Sequence, residues 1–566
     1  MEPHRQTVSI CSLSTELGVV EAIPNPNFYL AGADYSLGLP NCINEFIGVA
    51  KMKSTQKFRR FMGTETEFGI ATPTQPKLSP IVTSTHAVVS YALRNIGTRS
   101  RWDFAAEHPT RDTRGSDRRR YRTGAMVDPE TLGVANAVTH NGARFYVDHA
   151  HPEYSSPECV DAWQAMVYDQ AGDRIALQAI NDVATFSQSG TSALANHGAC
   201  PPLKIYKNNV DGKGASYGSH ENYLYPRSTE FADIADGLIP FFVTRIIMIG
   251  AGRVGLGQHG ETPGFQISQR ADYIEQEISL ETTLNRGLIN TRDEPHTNPE
   301  THGRLHVITG DANMSQTSTL LKLGTTALVL DAIDAGVRFD DLRPKDPVSE
   351  ISAVSHDLSL THKITLANGS SATAIEIQKE YLRRVTEAVV SLTEREQKVL
   401  ALWEEVLDLL ADDPLSTAHL LDWTAKYALI KGFLDRGVAV SDPKIALIDL
   451  QYTDVDPSKS LYHALVRKGR MRTLVTDEEI NTAIAMPPAQ SRAWTRGRMI
   501  ERFADELVAA NWQELHFADP NSPGGEIFVD LTEVDGLNKA AAEDIIASSP
   551  SAAEAARKFL DAKSRT

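Results

Sequence analysis

Two glutamates one residue apart, Glu65 and Glu67 in Gly63-Thr64-Glu65-Thr66-Glu67-Phe68-Gly69, are the first residues whose type and spacing suggest chemistry. In a strand they project from one face, about 7 Å apart. Carboxylates that close repel each other unless a cation lies between them. Hard divalent ions such as Mg²⁺ take oxygen ligands and often share phosphate oxygens. A second segment, NGARFYVDHAHPE from Asn141 to Glu153, puts Arg144, Tyr146 and Asp148 on one strand face and Phe145 and Val147 on the other. Arg144 suits bidentate phosphate binding, Asp148 suits a nucleophile or base, and Glu153 adds a carboxylate for a metal. His220 and Asn222 share a face in SHEN, and Arg304 and His306 share one in RLHVI, with Leu305 and Val307 toward a core. Neutral histidine is a common metal ligand. Any one of these segments could be an ordinary solvated strand face. Four of them, each lined with Glu, Arg, Asp or His, imply a sheet-lined basin for metal and nucleotide.

The chain around these segments is globular in composition. It has 566 residues, 41% apolar and 23% charged, with a net charge of −17. That is material for several domains and excludes collagenous, disordered and small disulfide-stapled classes. An acidic balance argues against nucleic acid as the partner. The four cysteines, Cys11, Cys42, Cys159 and Cys200, form no CxxC pair, as expected in a reducing compartment. No apolar run reaches the ~18 residues of a membrane span, and the N-terminus lacks a secretion pattern. A cytoplasmic protein with no membrane partner is expected.

Organisation follows composition. Residues 1–51 are rich in turn formers and read as a doubtful N-terminal extension, with Met52 as a second possible start. From Phe58 to about Gly310, short strand-like runs alternate with loops. From Thr317 onward, apolar spacings of three and four predict helices. Residues 481–566 are expected to form a small C-terminal domain. Two familiar patterns fail on context. Gly250-Ala-Gly252-Arg-Val-Gly255 follows a strand-like VTRIIMI, but no helix opens there to meet a pyrophosphate. Gly214-Ala-Ser216-Tyr-Gly218 lies between a glycine-rich loop and a strand, the reverse of a nucleophile elbow.

The strings GTETEFG, NGARFYVDHAHPEYS, YKNNVDGKGASYGSHENYL, INTRDEPH, RLHVITGDANMS and LKLGTTALVL, between Arg59 and about Ala510, resemble the Pup ligase/depupylase family. That family is related to glutamine synthetase and other carboxylate–amine ligases. The resemblance implies an α+β fold: a glutamine synthetase-like antiparallel sheet basin packed by helices, spanning 52–480. The insertion at 71–122 is similar to the one that marks the depupylase branch. That branch deamidates the C-terminal glutamine of Pup, a small ubiquitin-like protein, and cleaves Pup from lysines of pupylated proteins. ATP is required but is not consumed at each turnover. The ligase branch is the alternative. By resemblance, Glu65, Tyr146, Glu153, His220 and His306 are expected to bind Mg²⁺. Gly63, Thr64, Glu65, Thr66, Glu67, Arg144, Ser156, Pro157, Asn222 and Arg304 are expected around ATP. Asp148 is the expected catalytic residue, and Trp512 matches a tryptophan near the nucleotide. Arg111, Arg114, Arg118, Arg119, Arg120 and Arg122 form a basic cluster in the insertion, suited to steering an acidic partner.

Overall fold

The alternation in the four site segments builds one sheet. The structure, a computed structural model, describes residues 57–105, 107, 109–114 and 131–564. Six strands form the sheet: β1 (Met62–Glu67), β2 (Asn136–Val138), β3 (Arg144–Asp148), β4 (His151–Ser155), β5 (Ser219–Pro226) and β6 (His302–Val307). Their order is β6-β5-β1-β4-β3-β2, and every neighbouring pair is antiparallel. Register sets the chemistry. Arg144, Ser155, Glu65 and His220 fall in one row across the sheet, and Tyr146, Glu153 and Glu67 in the next. His306 lies opposite Asn222.

The intervening residues point the other way and are buried. Phe145, Val147 and Tyr154 pack with helix α1 (Pro80–Tyr91), while Tyr223, Leu305 and Val307 pack with α3 (Phe231–Ile249) and α4 (Gln316–Asp334). The long helix α2 (Ala162–Gln188) starts at Asp161, whose side chain accepts from the Gln164 amide. It crosses so close that a Cβ on Gly172 would sit 2.4 Å from the Tyr154 ring. Truncating Phe145 to alanine in such a core costs about 3–5 kcal/mol.

VTRIIMI is the end of helix α3, not a strand. A helix buried all round carries no polar stripe to reveal its period. The glycine run after it leads into strand Arg253–Leu256, and Ser216 precedes strand β5 instead of opening a helix, so neither borrowed motif has its required context. The stripes read from Thr317 onward form α4, then α5 (Ala374–Ala388) and α6 (Glu394–Asp412). Thr373 and Thr393 begin the last two with capping boxes.

The C-terminal segment is not walled off. The expected boundary at 480 falls inside helix α7 (Asp477–Ala485). Beyond it lie α8 (Ala493–Phe503) and an antiparallel sheet of β7 (Leu507–Ala510), β8 (Glu514–Ala518) and β9 (Glu526–Asp530). The segment ends in two helices, α9 (Lys539–Ser548) and α10 (Ala552–Lys563). Trp494, Phe517 and Phe559 share a core with Phe145 and Tyr154, and the described residues fall in one compact unit.

The described residues of the insertion at 71–122 contribute the buried helix α1 and an extended arm that joins the sheet edge to β7. Ser100 N donates to Asn136 O (3.1 Å) and Asp103 N to Ala510 O (2.9 Å). The expected extension 1–51 and Arg118, Arg119, Arg120 and Arg122 lie outside the described residues. The other two arginines of the cluster face carboxylates, Arg111 at 3.8 Å from Asp293 and Arg114 at 2.7 Å from Asp112. Among the described residues, no helix is long and apolar enough to cross a membrane.

Candidate active site

The open face of the sheet gathers two clusters of ligand-type side chains. In the first, Glu65 accepts from Asn222 Nδ2 (2.9 Å) and lies 3.2 Å from His220 Nδ1. With its amide nitrogen turned to Glu65, Asn222 offers Oδ1 to Arg304 Nη1 (2.8 Å) and His306 Nδ1 (2.9 Å). His306 therefore donates from Nδ1, which leaves a buried Nε2 with no partner. Ligand atoms of Glu65, His220 and His306 lie within 4.8 Å of one another. Burial holds the His306 imidazole well below its usual pKa and so neutral. Burial alone would raise Glu65, but the His220 hydrogen bond and nearby cationic groups outweigh it and leave the carboxyl well below its usual range. An anionic carboxylate beside a neutral imidazole with a free lone pair is a donor set that fits a divalent cation.

The second cluster is Glu67, Asp148 and Glu153, again within 4.8 Å. Glu67 accepts from the Gly218 amide (2.8 Å) and sits 3.1 Å from His151 Nδ1. Gly218 has to be glycine here, since a Cβ would come within 2.6 Å of both Glu67 Oε1 and His220 Nε2. Glu153 is pushed well above the usual glutamate range, by burial first and then by Asp148, Glu67 and Glu65. Burial and the neighbouring Glu153 likewise keep the Tyr146 phenol protonated. Three crowded carboxylates and a neutral phenol are what a second cation would relieve. Asp148, the last residue of β3, is the member that reaches solvent, with 37% of its side chain exposed. Its hydrogen bond to His149 Nδ1 (2.8 Å) raises that imidazole to about 9.

Two adjoining cavities meet at this face. The larger, about 1110 Å³, is lined by Asp148, Glu153, Arg144, Tyr146, His306 and Arg304. The smaller, about 580 Å³, is apolar, with Phe61, Met62, Leu224, Pro295, Trp512 and Val534. Glu65, Ser155, His296, Arg304 and Trp512 line both. An apolar pocket opening onto a cation basin with three arginines, Arg144, Arg292 and Arg304, can hold a nucleotide, base in one and phosphates in the other. Gly63 and Thr64 line the apolar side, where Ser156 Oγ accepts from Thr64 N (2.8 Å).

Most expected site residues converge here, but Thr66 and Pro157 do not. Thr66 turns to the back of the sheet, its hydroxyl 3.5 Å from Asp169, because its neighbours at odd positions take the front. Pro157 lines neither cavity; its carbonyl accepts from Cys159 Sγ (3.3 Å). Sequence reasoning missed His151, which the same period-two argument as Glu153 could have found. It also missed Glu158, which directly follows the Ser156-Pro157 pair, and Trp102 and Arg492, which arrive from distant segments with no local signal.

Comparison with known proteins then places the chain. The sequence profile described as Pup-ligase protein matches residues 60–516. The chain belongs to the Pup-ligase family. It is 46% identical over 486 residues to the Pup deamidase/depupylase of Mycolicibacterium smegmatis, covering 85% of this chain and 95% of that one. It is 46% identical over 472 residues to the depupylase of Acidothermus cellulolyticus, covering 81% and 91%. A Pup–protein ligase from Paenarthrobacter aurescens is 41% identical over 394 residues, covering 68% of this chain and 85% of that one. Among solved structures, the complex of Pup with its ligase PafA superposes with a TM-score of 0.69 at 29% identity, covering 86% of this chain and 92% of that one. PafA bound to ADP gives a TM-score of 0.65 at 31% identity, covering 74% and 90%. The α+β basin expected from the sequence is thus the fold of this family.

Proposed function

We propose that this chain is an ATP-dependent Pup deamidase/depupylase, converting the C-terminal glutamine of Pup to glutamate and releasing Pup from lysine side chains. The observation that carries the choice of branch is the extent of likeness. Proteins named for deamidation and depupylation match over 486 residues, whereas the ligase match spans 394 at lower identity. Pup, the pupylated proteins and ATP are its ligands.

Both reactions break a carboxamide at the end of a glutamine side chain. Water ends as the new hydroxyl of the glutamate and as the proton on departing ammonia or lysine amine. Asp148 stands at the end of β3 in the polar cavity with an exposed carboxylate, and acts in one of two ways. It attacks the carbonyl carbon and is later freed by water, or it takes a proton from the water that attacks. His149 holds it in place by the 2.8 Å hydrogen bond. Glu65, His220 and His306 would hold one Mg²⁺, and Glu67, Glu153 and the Tyr146 oxygen a second. Bound there, the cations neutralise phosphate oxygens and favour negative charge developing on the carbonyl oxygen. Arg144 and Arg304 hold phosphate, and the apolar cavity with Trp512 takes the base. D148N should lose both activities by about 10²–10⁴-fold while binding Mg·ATP normally. A variant that still deamidates and depupylates at the wild-type rate removes Asp148 from the chemistry.

A further inference from the structure

Arg144 is only 6% exposed, yet among the described residues no carboxylate lies within ion-pair distance of it, and the charge of Glu107 reaches it only through space. Its one hydrogen bond there runs from Nε to Asn136 Oδ1 (2.8 Å), and Asn136 is itself tied by Nδ2 to Val134 O (2.7 Å). What covers the guanidinium is aromatic. Its carbon lies 3.9 Å from the centre of a Trp102 ring and 3.7 Å from that of Tyr146. Ring faces stabilise a cation without engaging its N–H groups, whereas a carboxylate would occupy them. A buried arginine held in this way keeps both Nη groups for an incoming anion.

Tyr146 belongs to the same strand as Arg144, but Trp102 comes from the insertion. Its position is fixed on both sides. Ala510 N donates to Arg101 O and Asp103 N to Ala510 O, both at 2.9 Å, and Ser100 N donates to Asn136 O at 3.1 Å. The indole Nε1 donates to Glu107 Oε1 (2.7 Å), so the buried ring leaves no polar atom unsatisfied. The insertion arm thus spans from the edge of the central sheet to β7 and lays one ring on one guanidinium.

We propose that Trp102 is a positioning residue for phosphate recognition: it acts through Arg144, fixing the guanidinium before nucleotide arrives. This rests on the nucleotide site of the proposed function, not on Pup as substrate. Ordering an arginine in advance removes the entropy that would otherwise be lost on binding.

One other role for Trp102 is in view. It meets Trp512 edge to face, with centres 5.3 Å apart, and could merely buttress the wall of the base pocket. The two roles separate by ligand. In calorimetric titrations of the full chain, W102A should bind Mg·ATP about tenfold more weakly, the size of a desolvated cation–π contact, and bind adenosine as the wild type does. W102F should recover most of the loss. Placing W102A in an R144A background should add nothing further, and turnover should show a raised KM for ATP at unchanged kcat. Equal losses for ATP and adenosine, or a full additional loss in the R144A background, would overturn the proposal. W102F keeps the test decisive if W102A lowers the melting temperature. A wild type that binds Mg·ATP but leaves Pup untouched sinks the Pup reading alone. A wild type that binds no Mg·ATP sinks both.

Discussion

Behind the central sheet, Glu221 and Arg245 are fully buried and form a bidentate ion pair, with Arg245 Nε alone left without a hydrogen bond. Arg245 donates from Nη2 to Glu221 Oε1 (2.7 Å) and from Nη1 to Oε2 (2.9 Å), and the Tyr223 hydroxyl adds a third bond at 2.7 Å. Lys207 likewise sits between Asp169 (2.7 Å) and Asp173 (3.0 Å). On the front, Glu67, Asp148 and Glu153 crowd one another, His306 Nε2 is buried without a partner, and Arg144 has aromatic rings where a carboxylate could be. Both faces belong to the same six strands and bury charge to a similar depth. The back completes its ion pairs within the chain itself. The front is left in a state that a ligand with phosphates and divalent cations would complete, and that difference marks the working face more clearly than any single residue does.

The contrast can be broken from either side. The largest effect on stability is expected behind the sheet. E221A strands a fully buried guanidinium, and should cost about 3–5 kcal/mol in denaturant unfolding, with or without Mg·ATP. A loss under about 1 kcal/mol would mean that the back is not the completed face.

Glu158 tests the same idea at the C-terminal segment. It is held by Arg492 and Arg496, whose charges and hydrogen bonds overcome burial and draw its carboxyl down to about 2. A depressed folded-state pKa gives stability that is present above the ordinary glutamate range, 4.5, and is lost as pH falls toward about 2. The total is about 3 kcal/mol. E158Q should therefore unfold more easily than wild type at pH ~7, and the gap should narrow as pH falls below ~4. A gap independent of pH would contradict the pairing.

The smallest effect is expected on the front. E153Q replaces a crowded acid with a neutral amide and should leave the ligand-free protein as stable as the wild type or more stable at neutral pH, because a carboxyl whose pKa rises on folding costs stability above its unfolded value. The same variant should lose part of the thermal stabilisation that Mg²⁺ with ATP gives the wild type. Destabilisation of the ligand-free protein by E153Q would show that Glu153 is a structural partner after all.

Much of the front face was legible in the sequence because strand period is two. Glu65 with Glu67, Arg144 with Tyr146 and Asp148, and Arg304 with His306 each declare a face without knowledge of the fold. The exception, Thr66, was assigned to the nucleotide from the resemblance even though its parity already placed it on the back. Helix α3 was misread because a buried helix has no polar side, and its run of isoleucines imitates a strand. A boundary was expected at 480 because the contacts that tie the C-terminal segment in, such as Glu158 with Arg492 and Arg496, span more than three hundred residues and leave no local trace. Trp102 was hidden for a related reason. An insertion can be recognised locally, but where its arm docks depends on main-chain bonds to Asn136 and Ala510 that no local pattern announces.

The central claim, that the unfinished face hydrolyses the glutamine amide of Pup, is tested most directly by mass spectrometry. Pup ending in glutamine, and separately a Pup–lysine conjugate, would be incubated with the protein and Mg·ATP while ADP is measured. The account predicts conversion of the terminal glutamine to glutamate and release of free Pup, without an equivalent of ADP for each bond broken. New Pup–lysine bonds with one ADP apiece, or no change in either substrate, would contradict it.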